Sequence, residues 1–169
     1  MEGALYRSTF DAPVGALQIS VSHEGKLVEI LLPNRRGARP TQSPSPAATC
    51  AMNDVKIQLN EYFLGERRAF DLRLSPAGSQ FDQRVWRKLL DIPYGATTSY
   101  GAIAGELGLL NGARAVGRAN GANPIPIVIP CHRVIGSDGR LVGYGGGLPL
   151  KRALLELEGA ISPPEPALF

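Results

Sequence analysis

Asn123-Pro-Ile-Pro-Ile-Val-Ile-Pro-Cys-His-Arg-Val134 is the stretch that the rest of the chain is organised to hold. It carries Cys131, one of two cysteines, followed directly by His132, one of two histidines. Ile125, Ile127, Val128 and Ile129 read as a buried extended segment. Prolines at 124, 126 and 130 bar a helix or an ordinary central strand. The expected product is a stiff apolar rail that delivers one thiol to one place. Such a thiol is either buried filler or a positioned nucleophile. A free thiol is mostly protonated at neutral pH, so a reactive one needs a base close by. His132 is at hand, but neighbouring side chains of an extended chain point to opposite faces. A kink after Pro130 or a bridging water is required to join them.

Composition excludes several other classes. Two cysteines without a repeating pattern make neither a disulfide framework nor a zinc site. His23, in the turn His23-Glu-Gly-Lys26, has no cluster of ligand spacing around it, so no metal and no cofactor is expected. No apolar run reaches the roughly 18 residues of a membrane span, and Met1-Glu-Gly-Ala-Leu-Tyr-Arg7 lacks signal-peptide architecture. A reduced, cytoplasmic protein without membrane contact is expected. The 169 residues suffice for one domain or two small ones, and the net charge of +3 is only mildly basic. Its distribution is more telling. No acid lies between Glu106 and Asp138, where Arg114, Arg118 and Arg133 stand, nor between Glu29 and Asp54, where Arg35, Arg36 and Arg39 stand. Both stretches read as locally positive surface, fit for phosphate or simply solvated.

Along the chain, residues 14–22 alternate as a half-buried strand, and 27–32 form a second strand of a hairpin. Residues 33–49 hold prolines at 33, 40, 44 and 46 and read as a loop. A helix is expected over about 51–63 with Gly65 as its stop, then a strand at 70–74. Ser75-Pro-Ala-Gly78 reads as a linker, which divides the chain into an α+β unit, 1–76, and a second unit, 79–169. In the second, Ser79 caps a helix with the stripe Phe81, Val85 and Leu89, ended by Pro93. Ser99 caps another over 100–107, and a third runs from about 112 to 120 after an Asn111 cap. A short glycine-containing turn between the last two predicts a helix-turn-helix.

That third helix is nearly bare, with Gly112, Ala113, Ala115, Gly117 and Ala119. Arg114 and Arg118 share one of its faces. A thin helix suits close packing against a neighbour, and equally a DNA groove. Gly136-Ser-Asp-Gly139 is a turn, followed by a short strand at 141–142. Gly143-Tyr-Gly-Gly-Gly147 lacks P-loop spacing and reads as a pocket wall, with Pro149 opening a last helix on Leu150, Leu154 and Leu157. Glu158 falls in its final turn, where a negative charge opposes the macrodipole; it is a surface residue or one that orients a histidine.

Pro130-Cys-His-Arg-Val134, with Asn123-Pro124 before it and Tyr144 and the glycines after it, resembles the active-site signature of O6-alkylguanine-DNA alkyltransferases. Ser99-Tyr100, Arg114-Ala-Val-Gly117 and Leu157-Glu-Gly159 stand at matching spacing, so the resemblance runs from about Phe81 to Gly159; the first half matches in general layout. It implies an α+β fold: a small ribonuclease H-like N-terminal domain followed by a helical, winged helix-turn-helix-like catalytic domain.

The implied activity is direct-reversal DNA repair, in which Cys131 takes the O6-alkyl group, mainly methyl, of a flipped guanine once and irreversibly. A water-bridged relay from His132 to Glu158 would generate the thiolate, with Asn123 bracing the turn. Tyr100 would help swing out the nucleotide and donate to the ring, and Val134, Tyr144 and Gly145 would line the guanine pocket. Arg114, Gly117, Arg118, Ser137 and Tyr100 would meet the minor groove of double-stranded DNA bearing O6-alkylguanine, with the protein monomeric. Gly145 stands where some relatives have serine, which leaves its backbone alone to act. Two other classes compete: a non-enzymatic binder of alkylated DNA, which lacks the cysteine, and a Cys131–His132 thiol hydrolase, which would turn over without DNA.

Overall fold

The computed structural model describes residues 3–37 and 43–166, so Arg39 and Pro40 of the expected loop lie outside the described residues. Strands β1 (Leu5–Ala12), β2 (Gly15–Ser22) and β3 (Leu27–Leu31) form an antiparallel sheet in the order β1-β2-β3. Leu17, Ile19 and Val21 are fully buried, as the alternation along β2 requires. β1 escapes the sequence pattern because Arg7, Ser8, Thr9 and Asp11 interrupt its apolar residues; its pairing along the whole of β2 defines it.

Helix α1 (Pro46–Phe63) starts at Pro46 rather than near 51. Ser45 caps it by accepting from the Ala48 amide, and Pro46 needs no partner in the first turn. The proline read as loop is a helix start, and Cys50 lies exposed within the helix. Residues 70–74 alternate as expected but do not form a strand of the sheet. They meet it through one bridge, Leu27 to Leu74, with the Leu27 amide donating to Arg73 O at 2.8 Å.

The second half is helical. Ser79 and Asp82 form a capping box at the start of α2 (Gln80–Leu90). Ser99 caps α3 (Tyr100–Glu106), and α4 (Ala113–Gly121) follows across a tight turn. Asn111 is not the cap: it takes a left-handed φ of 53°, and Gly112 precedes the helix without a side-chain bond. Two short parallel strands, β4 (Thr98–Ser99) and β5 (Val134–Ile135), bring the start of α3 beside the residues after Cys131. The strand expected at 141–142 is absent; among the described residues no backbone group pairs with that segment, and its Val142 carbonyl is taken by side chains instead. Helix α5 (Leu148–Leu157) closes the order.

The apolar stretch before Cys131 is buried but not extended. The Ile129 amide returns to Ile125 O at 2.9 Å, and Ile127 sits at φ 75°. A β-branched residue there costs about 1–2 kcal/mol, offset by complete burial of Ile125 and Ile127. Asn123 braces the fold-back by donating to Ile129 O at 2.8 Å and accepting from the Ile125 amide at 2.9 Å. From β3, the Ile30 amide donates to Pro124 O at 2.9 Å, which ties the first half to this turn. Buried residues from both halves join one cluster that includes Leu17, Tyr62, Trp86, Ile127 and Leu154. No described helix is long and apolar enough to cross a membrane.

Trp86 on α2 is almost fully buried and donates to the Ala119 carbonyl of α4 at 2.8 Å, so it sets where α4 lies. Trp86→Phe, which removes that bond and part of the buried area, should cost about 1–3 kcal/mol, read as a lower denaturant midpoint with an unchanged m-value.

Candidate active site

A kink occurs where the expected rail required one. Cys131, His132 and Arg133 form a single 3-10 turn, so His132 and Arg133 both swing inward toward the end of α5. There Glu158, 5% exposed, receives four hydrogen bonds. Arg133 grips it as a fork, Nε to Oε2 at 2.8 Å and Nη2 to Oε1 at 2.9 Å, while its Nη1 donates to Ile92 O at 2.6 Å. His132 Nε2 and the Tyr62 hydroxyl each reach Oε1 at 2.7 Å. Burial alone would raise the Glu158 carboxyl, but the hydrogen bonds from His132 and Arg133, with the Arg133 charge, hold it down at about 2.

An ionised carboxylate only accepts, so His132 must carry its proton on Nε2. Its Nδ1 then bears the lone pair, and this atom is buried with no hydrogen-bond partner among the described residues. Burial, with Arg133 and Lys151 nearby, lowers the His132 pKa against the opposing pull of Glu158. The imidazole is therefore neutral at rest, a base held in one tautomer.

Cys131 is buried to within 5% and opens onto a cavity of about 530 Å³, a size suited to a small-molecule ring system. Tyr100, Gly117, Asn123, Tyr144, Gly145 and Arg35 share its wall. Burial pushes the Cys131 thiol up to about 11, opposed by Asn123, Lys151 and the local amides. The resting sulfur is thus a thiol, not the ready-made thiolate that a directly hydrogen-bonded Cys–His pair would give. Among the described residues no hydrogen bond joins Cys131 to His132.

The remaining candidates sort by position. Val134 is fully buried and is not among the residues that wall the cavity; its carbonyl accepts from Lys151 Nζ at 2.6 Å. The Tyr100 hydroxyl donates to Val142 O at 3.1 Å, and burial raises its pKa. Gly117 is half-buried beside the Tyr100 ring, which a Cβ would meet at 3.8 Å, and Ala113 at the start of α4 is exposed. Arg114 and Arg118 project from the exposed side, and Ser137 is exposed in its turn. Arg133 is corrected outright: it belongs to the buried carboxylate cluster and contributes nothing to a positive surface. Among the described residues no group of three or more His, Cys, Asp or Glu side chains could hold a metal ion.

A ribonuclease-like half with a sheet and one long helix, and a helical half holding a buried cysteine, together define the class of protein. Residues 5–76 match the model of the 6-O-methylguanine DNA methyltransferase ribonuclease-like domain, and 80–160 match that family's DNA-binding domain. The chain belongs to the O6-methylguanine DNA methyltransferase family. It is 47% identical over 167 residues, 98% of this chain and 99% of the relative, to a Mycobacterium tuberculosis protein named methylated-DNA–protein-cysteine methyltransferase. A Methanosarcina acetivorans protein of the same name is 40% identical over 159 residues, 92% of this chain and 99% of the relative. The crystal structure of Mycobacterium tuberculosis OGT in complex with DNA superposes with a TM-score of 0.80 at 49% identity, covering 90% of this chain and 91% of that one.

Sequence reasoning missed Tyr62, Arg133 and Lys151 as parts of the site. Lys151 is fully buried in α5, its Nζ also donating to Val142 O at 2.9 Å and Gly143 O at 3.3 Å, and burial lowers its pKa to about 8. The signal was present in the spacing: Lys151, Leu154, Leu155 and Glu158 are buried at helical intervals, a stripe that begins and ends in opposite charges.

Glu158→Gln leaves the Arg133 guanidinium buried without its counter-charge, and should cost about 3–5 kcal/mol at neutral pH. The depressed carboxyl stabilises the fold above its ordinary value of 4.5, and that contribution is lost as pH falls toward 2. Denaturant titrations at stepped pH should show the gap between wild type and variant narrowing through this window.

Proposed function

We propose that Cys131 is the alkyl acceptor in the direct reversal of O6-alkylguanine damage in double-stranded DNA, one lesion per protein molecule. The observation that carries this reading is a buried sulfur facing a cavity with ample room for a purine, with an unpaired imidazole nitrogen buried in the same turn. An O6-alkyl carbon is hidden in a duplex, so the nucleotide must leave the stack to enter the cavity, at a cost of about a few kcal/mol. Arg114 fills the space that it vacates while α4 lies in the minor groove, with Gly117, Arg118, Tyr100 and Ser137 at the DNA surface. Val134, Tyr144 and Gly145 enclose the guanine. At Gly145 the backbone approaches without a side chain, and a Cβ there would come within 3.4 Å of Arg35.

On this reading the protons balance as follows. Sγ loses its proton through a bridging water to His132 Nδ1, whose Nε2–H is anchored on Glu158. The sulfur attacks the alkyl carbon, a C–S bond forms, and the C–O6 bond breaks. Its electron pair stays on guanine, which is hydrogen-bonded by Tyr100 as charge develops and finally takes up one proton. For this, the Tyr100 hydroxyl turns from Val142 O to the base. The thioether has no route back, and Cys50 lies exposed on α1 in the other half. Residues 79–169 thus carry the chemistry and the DNA contact, residues 1–76 support them, and the active species is a monomer.

Incubation with O6-methylguanine duplex should add one methyl group to the Cys131 peptide by mass spectrometry and then stop at equimolar repair; Cys131→Ser should transfer nothing. Repeated turnover, or methyl removal by the serine variant, would overturn the assignment. Arg114→Ala should slow repair of duplex DNA by about 10- to 100-fold, the share of unstacking left uncompensated, while reaction with free O6-benzylguanine stays near wild type. Equal losses on both substrates would refute the role given to Arg114.

A further inference from the structure

Tyr62 stands at the end of α1, in the half of the chain to which no chemistry has been given. It is fully buried, with Phe63, Phe70 and Tyr94 around its ring at centroid distances of 5.3, 5.4 and 6.3 Å. Packing of that kind calls for an aromatic ring and has no use for a hydroxyl, which in apolar surroundings must find a partner. The partner is Glu158 Oε1, at 2.7 Å across the boundary between the halves. His132 Nε2 and Arg133 Nη2 use the same oxygen, at 2.7 and 2.9 Å, while Oε2 is left to Arg133 Nε.

We infer that Tyr62 is a positioning residue for the proton relay: by sharing Glu158 Oε1 with His132, its hydroxyl limits the basicity that Glu158 confers on His132. This rests on the alkyl-transfer reading above. Three donors on one oxygen draw on the same electron density, so each weakens what the others receive. A His132 that is too basic would already hold a proton at neutral pH and could not accept that of Cys131. The charged and titratable groups around His132 are Glu158 and Lys151 from α5 and Arg133 from its own turn. Tyr62, Tyr94 and Tyr144 face Glu158 and its partners from α1, the segment before β4, and the glycine loop. Of these, Tyr62 comes from the first half of the chain.

Tyr62→Phe keeps the ring and removes the hydroxyl, and the histidine side-chain nitrogen resonances report the outcome directly. His132 should titrate about one unit higher in the variant than in wild type. Single-turnover methyl transfer should show the same displacement of its acid limb, about tenfold slower on that limb and near wild type at high pH. An unchanged His132 titration, or a rate lowered equally at every pH, would overturn the inference. Tyr94→Phe is the control for general loosening, because the Tyr94 hydroxyl bonds to the Leu157 carbonyl at 3.2 Å and not to Glu158. If it displaced His132 as far, the inference would also fall. Absent methyl transfer in wild type, with the His132 displacement intact, would sink the alkyl-transfer reading and leave the coupling standing.

Discussion

One buried carboxylate decides how the second half of this protein is arranged. Glu158 ends α5, where the helix dipole makes a negative charge unwelcome, and it is nearly sealed from water. Such a charge survives only with its lone pairs filled. Arg133 supplies two donors, and His132 and Tyr62 supply one each. Arg133 in turn is satisfied by the Ile92 carbonyl, two residues beyond the end of α2. The 3-10 turn, the last helix, the first helix and the loop after α2 are thereby fixed around a single pair of oxygens. While His132 and Arg133 are both held by Glu158, the residue before them, Cys131, opens onto the cavity.

A second buried charge does comparable work one and a half to two turns earlier on the same helix. Lys151 binds the carbonyls of Val134, Val142 and Gly143, and so ties the strand after Cys131 to the glycine loop across the cavity. Neither Lys151 nor Glu158 neutralises the other directly; each is satisfied by its own set of partners. Their separate attachments hold the two walls of the cavity, which explains how a glycine-rich loop without strand pairing keeps its place.

Much of this architecture was legible in the chain because its signals are local. Ser79, Ser99 and Gly65 marked helix boundaries by capping and by left-handed geometry, and those boundaries stand within a residue or so. The alternation along β2 gave its buried face. What escaped depends on partners distant in sequence. β1 is held by pairing, not by its own pattern, and Tyr62 meets a residue 96 positions away. Arg133 reads as surface and Lys151 carries no signal of its own for a different reason: a charged residue is usually solvated, and no local feature announces that its counter-charge or carbonyl set lies inside. Pro46 reads as loop among its neighbouring prolines, and only the Ser45 cap makes it the first helical turn. The apolar rail is buried and outside any helix, as its residues and prolines require, but it is folded back and not extended. Its fold-back needs Ile127 in a conformation that a β-branched residue avoids, which no pattern of side chains would suggest.

Burial of the thiol bears on why such a site would act only once. An exposed, ionised cysteine reacts with any electrophile that diffuses past, and a protein that cannot be reset would be wasted by each encounter. Burial that lifts the thiol to about 11 reduces this loss, because nucleophilic sulfur forms only when a base can take its proton. The same burial excludes water from the reacting atoms, which strengthens every hydrogen bond made to the leaving guanine. An enzyme of many turnovers would give up speed by keeping its nucleophile protonated. On the proposed reading this protein gives up little, since each molecule needs one slow, selective step and no release of a product from its sulfur.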